Sequence, residues 1–561
     1  MSGIQRPVCA AIDVGTSYSG YAYSLKECRE KVYVNDKWRY GSHVSNKTPT
    51  CLLLNPIKQF QAFGYKAIEK YQYLIGLDRY DGWYFFRNFK TELYEKDLSR
   101  QSKIKDIGGR TMDGMTIFAL TIGFLKDHML HHLDKHYPSS RLDDITFVLT
   151  VPSIWSNSAK QFMREAAVAA GIPNDQLIMC LEPEAASIYC QTLESGPSIH
   201  NSGDKYLIVD LGGGTVDMTA HKKEGDGRLE EIVASSGGPF GGECVFSEYV
   251  DLLQNIFGQR VLSNFRAVYP DEYFELLYDF ETQKSRADPK LDDIFTVVMP
   301  PSLKSLYEKI EKRKVETAIK SSEFSDYVTY ENRDLTLDIS MLKHLHSKSL
   351  QRVLGDAQDM INDCKTCVIN KIILVGGHAK SEFVSTAFRQ HFGSGYKIFV
   401  PQESDIAVVI GAVVFGHDPS MISTRILKYT YGTDISPYFD IRYHPTYRRA
   451  LIGGVQRCKD VFDIFITAGT KVKYGHHIHR KYLPTSSRQR FVTFNFYVSD
   501  DKYPVFVDNR PCTGCLMVEI PKYSGKSREL DLSIVLGHTE IYVTVKSLSD
   551  GKSYRKVVNF L

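Results

Sequence analysis

Two short segments constrain this 561-residue chain more than any other feature. One is Asp13-Val14-Gly15-Thr16-Ser17-Tyr18; the other is Asp210-Leu211-Gly212-Gly213-Gly214-Thr215-Val216-Asp217. Each follows an apolar run of strand type, Val8–Val14 and Tyr206–Leu211. Each ends a buried strand in a carboxylate and then turns through glycine and hydroxyl residues. Glycine lets the main chain approach a phosphate closely, with its N–H groups pointing inward as donors. Thr16, Ser17 and Thr215 add hydroxyl donors, and Asp13 or Asp210 can hold Mg²⁺, usually through its waters. A lone turn of this kind is ordinary. Two of them, 197 residues apart, point to duplicated halves that each offer one phosphate turn. A third glycine-bearing strand end, Val375-Gly376-Gly377-His378, follows later. A P-loop is not available instead, because Gly525-Lys526-Ser527 and Gly551-Lys552-Ser553 lack the first glycine of that motif.

The rest of the first 420 residues alternates strand and helix signals, which argues for α/β layers. Val8–Val14, Asp144–Val151, Leu177–Leu181, Tyr206–Leu211 and Lys371–Val375 are predicted strands. Met115–Asp134, Ser158–Ala170 and Glu184–Leu193 are predicted helices. After about Pro419 the pattern shortens and becomes β-rich: Phe462–Thr467, Phe491–Val498, Cys515–Ile520, Leu530–Leu536 and Glu540–Leu548. The chain closes on strand-like Val557–Phe560. Charge divides at the same place. From Met421 onward there are 22 Lys+Arg against 12 Asp+Glu, a net of +10, leaving −7 for residues 1–420. The expected organisation is therefore an α/β unit over 1–420 and a basic, all-β unit over 421–561.

Other signals carry less. No apolar run reaches the roughly 18 residues of a membrane helix, and Met1–Val8 lacks the core of a signal peptide. Eleven cysteines are thinly spread, which predicts reduced thiols. The pairs Cys364/Cys367 and Cys512/Cys515 lie too far apart for a zinc ribbon; Cys364 and Cys367 are expected to share and pack one helix face. His128, His132 and His136 form one helical row, and His476, His477 and His479 a cluster; both are expected to be solvated. Dispersed C-terminal charges and the absence of a recognised module argue against nucleic acid.

Five ordered motifs carry a resemblance. They are Asp13–Tyr18, Leu149-Thr-Val-Pro152, Leu181-Glu-Pro-Glu-Ala-Ala186, Asp210–Asp217 and Leu374-Val-Gly-Gly377. Together they resemble the actin/hexokinase-type ATPase domain of the heat-shock 70 kDa chaperones, over residues 7 to 418. Trp83-Tyr-Phe-Phe-Arg-Asn-Phe-Lys90, Phe280-Glu-Thr-Gln-Lys284 and Val413–Pro419 resemble the divergent heat shock 70 kDa protein 12 branch. The resemblance implies a duplicated two-lobe ATPase fold that binds ATP or ADP with Mg²⁺. Asp13 and Asp210 would position the hydrated ion. Gly15, Thr16, Ser17 and Tyr18 would line the first phosphate turn, and Gly212, Gly213, Gly214 and Thr215 the second. Lys90, Glu182, Asp210 and Asp217 would carry catalysis. Glu281, Lys284, Gly376, Gly377, His378 and Asp405 would face adenosine. Cytoplasmic or nuclear residence, with protein clients, signalling partners and co-chaperones, is the corresponding expectation.

The chain also departs from that family. His378 and Lys380 stand where serine and arginine are usual, removing the guanidinium plane that stacks on adenine; lysine replaces it poorly. Cys244 follows Gly241-Gly242-Glu243 where aspartate is usual. The segment from Phe462 to Lys546 loosely resembles the family's peptide-binding β-sandwich, and no helical lid is expected after it. The connector Arg425-Ile-Leu-Lys-Tyr-Thr430 carries two cations where the family's linker is apolar and acidic. Three readings stay open: a chaperone-like slow ATPase, a nucleotide-binding scaffold with little turnover, and a sugar or metabolite kinase on the same fold.

Overall fold

The computed structural model describes residues 6–35, 37–40, 43–94, 98–138, 140–193, 199, 201–284, 286–364, 368–510, 512–522 and 527–557. Cys367, Gly525, Lys526, Met1–Gln5 and the end of the strand expected over Val557–Phe560 lie outside them.

Two sheets repeat one topology. In the first, Val8–Asp13 pairs antiparallel with Tyr18–Leu25, which pairs antiparallel with Cys28–Val34. On its other side Val8–Asp13 pairs parallel with Ile145–Val151, and that strand with Leu177–Leu181. In the second, Lys205–Leu211 takes the place of Val8–Asp13. It is followed antiparallel by Val216–Lys223 and Leu229–Gly238, and flanked in parallel by Lys371–Val375 and Lys397–Phe399. A long helix precedes the first parallel partner in each half, Gly114–His136 and Ile339–Asp363. A helix also follows each parallel strand: Asn157–Ala169 and Glu182–Thr192 in one half, Glu382–Phe392 and Ala407–His417 in the other. The central strands are buried along their whole length, as strands covered on both faces must be.

The halves meet through two equivalent helices, Glu182–Thr192 and Ala407–His417. A Cβ on Gly411 would fall 1.7 Å from the Ala185 carbonyl oxygen, so the two backbones touch where glycine permits it. Further helices of the second half, Gly242–Phe257, Gln259–Val268 and Pro270–Lys284, form a separate apolar cluster built on Tyr249, Leu253, Phe265 and Phe280.

No α-helix occurs among the described residues after His417. Two four-stranded sheets follow. One runs in the order Val461–Ile466, Thr430–Ile435, Phe491–Ser499, Cys512–Glu519; the other runs His476–Tyr482, Leu530–Leu536, Tyr542–Ser547, Ser553–Val557. Phe465, Phe496, Val518, Leu532 and Val543 from both sheets share one core. Ile422–Ile426 and Lys471–Lys473 instead extend the seven-stranded sheet of the second half, through Leu229–Gly238. The β-rich segment is thus joined to the α/β part by a shared sheet as well as by chain connection. No helix among the described residues is long and apolar enough to cross a membrane.

Two minor expectations are corrected and a third holds. Helix Ile339–Asp363 ends before Cys364, so helical spacing does not govern that cysteine; it is buried and disulfide-bonded rather than a free thiol. His128 and His132 are not simply solvated. The helix lies on the outer sheet face, where Tyr21 Oη meets His128 Nδ1 at 2.8 Å and Tyr23 Oη meets His132 Nδ1 at 3.0 Å. Trp38 also stacks on His128. His476, His477 and His479 are exposed on a strand, as expected of solvated histidines.

Candidate functional site

Both glycine turns open into one cleft of about 510 Å³ between the two halves. They face each other closely: a Cβ on Gly213 would lie 2.0 Å from Ser17 Oγ, and one on Gly214 2.5 Å from Thr16 Oγ1. Gly15, Thr16, Ser17, Tyr18, Gly212, Gly213, Gly214 and Thr215 all line it. Ser17 Oγ donates to Glu243 Oε1 across the halves (3.0 Å). Gly376 has φ +90°, and a Cβ there would meet Asp210 Oδ1 at 2.5 Å, so both conformation and space require glycine. The Ser404 carbonyl accepts from Gly376 N–H and sets the Asp405 loop beside this turn.

The floor is ionic. Lys90 Nζ lies 2.6 Å from Glu182 Oε1, both buried, with Lys90 also over the Trp155 ring. Burial, with Asp13 and Asp217 nearby and only Lys90 opposing, pushes the Glu182 carboxyl up to about 7. Asp13 Oδ1 accepts from Thr150 Oγ1 (2.7 Å) and Oδ2 from Lys47 Nζ (2.6 Å). Burial alone would raise Asp13, but the charges of Lys47 and Lys90 and these hydrogen bonds hold it below the usual carboxylate range. Asp210 is pushed well above that range by burial and by Glu182, Asp217 and Asp13.

Asp217 is brought near but is not part of the cleft lining. Its Oδ1 accepts from Ser153 Oγ (2.8 Å) and from Ile154 N (3.1 Å), so it ties down the loop after Pro152. On the opposite wall Glu281 and Lys284 form an i, i+3 pair at 2.7 Å, and both line the cleft. Gly376, Gly377, His378, Lys380 and Asp405 complete that side.

No family model matches the chain. Heat shock 70 kDa protein 12A of Homo sapiens is 30% identical over a gapped alignment of 620 residues, covering 99% of this chain and 91% of that protein. The Mus musculus protein of the same name matches equally. Heat shock 70 kDa protein 12B of Homo sapiens is 31% identical over 627 residues, with the same coverage. The chain belongs to the heat shock 70 kDa protein 12 family. That membership and the doubled sheet topology agree on an ATPase scaffold of the heat-shock 70 kind.

For this member of the heat shock 70 kDa protein 12 family, the departures at His378 and Lys380 have definite geometry. Lys380 is held by Asp405 at 2.7 Å. His378 stacks on His346, which stacks on Phe383. Burial, with Lys284 and His346 nearby, drives the His378 pKa well below the usual histidine range, so the ring is neutral. Its Nε2 is buried without a hydrogen-bond partner among the described residues.

The residues fit a hydrated divalent cation by charge. Asp13, Glu182, Asp210 and Asp217 are four buried carboxyls, and Lys47 and Lys90 are two ammonium groups. Fully ionised, they leave two negative charges uncompensated; burial first, and then this excess of neighbouring carboxylates, raises Glu182 and Asp210. No group of three or more metal-ligating side chains occurs among the described residues, so holding through water, not a direct cage, suits this donor set.

Sequence reasoning missed Lys47, Arg87 and Tyr278, which also line the cleft. Lys47 sits 34 residues from its partner Asp13 on a strap whose Thr48–Pro49 pairs with Tyr18–Ser19. No local pattern marks it, because only the strap's crossing brings the two together.

Proposed function

We propose that the chain binds ATP with Mg²⁺, hydrolyses it slowly, and couples nucleotide state to its C-terminal β part. The observation that carries this reading is the convergence of two phosphate turns on one cleft whose floor holds the Lys90–Glu182 pair. Main-chain N–H groups of both turns, with Thr16, Ser17 and Thr215 hydroxyls, would take the phosphates. Asp13 and Asp210 would hold the ion's waters, and bound there Mg²⁺ supplies the charge that offsets the phosphate oxygens. Lys90 would steady the γ-phosphate. Glu182, with a value near 7, is suited to share a proton with the attacking water. Asp217 would act by fixing the Pro152 loop rather than by touching nucleotide. Glu281 and Lys284 would face the ribose, and Gly376, Gly377, His378 and Asp405 the base.

Coupling has a concrete route. Glu184 lies two residues beyond Glu182 and makes a buried two-pronged pair with Arg425 of the connector, at 2.6 and 2.8 Å. Arg425 also donates to the Gly537 carbonyl in the β part. We read residues 1–420 as the ATPase unit and 421–561 as a β unit that binds protein partners, in the cytoplasm or nucleus.

A second reading, a scaffold that binds nucleotide with little turnover, is favoured by Lys380 being committed to Asp405 rather than free to cover a base. Thermal unfolding with and without Mg-ATP tests binding. The natural protein should gain several degrees and Asp210→Ala none; no gain in the natural protein overturns the nucleotide reading. Phosphate release then separates slow ATPase from scaffold, and ADP formation that depends on an added sugar would establish a kinase instead.

A further inference from the structure

The cleft contains a cation that the phosphate turns do not account for. Lys47 Nζ sits 2.6 Å from Asp13 Oδ2, with its side chain 14% exposed and facing the cleft. It is not a loose surface lysine. Its methylenes pack over Gly20, where a Cβ would lie 3.1 Å from Lys47 Cγ. The strap that carries it is bonded to the first phosphate turn: Thr50 N–H donates to the Ser17 carbonyl (2.9 Å) and Thr50 Oγ1 to the Gly15 carbonyl (2.8 Å). The charges of Asp405 and Asp210 also act on the Lys47 ammonium.

The geometry creates a conflict. Asp13 Oδ1 is engaged by Thr150 and Oδ2 by Lys47. Each oxygen keeps a lone pair, but the waters of a divalent ion would have to reach it beside the Lys47 ammonium, whose charge repels the ion. Lys47 and the hydrated ion therefore compete for Asp13, and a lysine displaced from Asp13 stays in the cleft lined by both glycine turns, where incoming phosphates are available to it. We infer that Lys47 is a nucleotide-positioning residue, a tethered cation that balances Asp13 in the empty cleft and turns to the phosphates when nucleotide enters, all the more when a divalent ion takes Asp13. This rests on the nucleotide reading above and adds to it a prediction about metal dependence. The chain should bind ADP appreciably without metal, because Lys47 brings cationic charge to the phosphates beyond what Mg²⁺ supplies.

The test is ADP binding by calorimetry, in EDTA and in Mg²⁺, for the natural protein, Lys47→Met and Lys47→Arg. Mn²⁺ binding to the ADP-saturated proteins is read by electron paramagnetic resonance. Lys47→Met should bind ADP about tenfold more weakly in EDTA yet take up Mn²⁺ about tenfold more tightly, because its competitor is gone. Lys47→Arg keeps the charge and should stay within about threefold of the natural protein in EDTA. It also serves as the informative variant if Lys47→Met does not fold. A parallel loss of ADP and Mn²⁺ affinity in Lys47→Met would overturn the proposal in favour of a merely structural lysine, as would no change in either. A Lys47→Arg protein that loses ADP binding in EDTA also overturns it. Absence of ADP binding by the natural protein, with or without metal, overturns the nucleotide reading itself, and is distinct from all of these.

Discussion

At the scale of single residues, the cleft depends on positions that allow no side chain. Gly376 combines a positive φ with direct contact between its missing Cβ and Asp210 Oδ1. Gly376→Ala should destabilise the protein by about 1–3 kcal/mol and displace Asp210, so that the thermal gain from Mg-ATP disappears. Urea unfolding and the nucleotide shift measure the two effects. This residue was readable in the chain as one of a Gly-Gly pair after a strand. Lys47 was not, although it touches the same carboxylate cluster, since nothing near it in sequence signals what faces it.

At the scale of elements, the strands, helices and turns that carry the site follow from local pattern. Lys371–Val375 and Leu530–Leu536 have the bounds expected from their apolar runs, and Ser158–Ala170 differs from helix Asn157–Ala169 by one residue. Among the misses are the three helices between Gly242 and Lys284, the long helix Ile339–Asp363 and the excursion 436–460. The first are amphipathic, with Tyr249, Leu253, Val261 and Phe265 buried, so their pattern was legible in the chain. The excursion interrupts two directly paired strands, Thr430–Ile435 and Val461–Ile466, with its own hairpin, Arg449–Ile452 and Val455–Cys458.

Element junctions also carry a pH dependence. Glu231 lies where Leu229–Gly238 meets Ile422–Ile426, and accepts from Ile426 N–H at 2.7 Å. Burial pushes its carboxyl up from 4.5 to about 7. The fold thus favours the neutral acid: its contribution is complete below pH 4.5 and is lost as pH rises through about 7. Glu231→Gln keeps the acceptor and removes the titration. The natural protein should lose thermal stability between pH 5 and 8, and the variant should lose less, with a difference of at most about 3 kcal/mol. Equal slopes would show that Glu231 does not titrate there.

At the scale of the whole molecule, the β part is fastened to the ATPase scaffold by buried charge. Arg425 and Glu184 are both buried, and Arg164 pairs with Glu540 of the β part. Truncating one partner strands the other. Arg425→Met should therefore cost about 3–5 kcal/mol, while the double variant Arg425→Met/Glu184→Leu should recover much of that. Denaturant unfolding of the four proteins of this cycle gives the coupling, and additive losses would mean that the pair does not interact energetically.

The chain by itself determined the duplicated α/β plan, the two glycine turns and the family resemblance. Those features reside in short stretches where backbone geometry demands glycine, or where burial demands an unbroken apolar run. Only the tertiary structure decided which charges meet: Lys47 with Asp13, Arg425 with Glu184, Lys380 with Asp405, and Asp217 with the Pro152 loop instead of the cleft. An ion pair has no sequence period. Its partners are chosen by how distant elements cross, and its strength by the water excluded when they do.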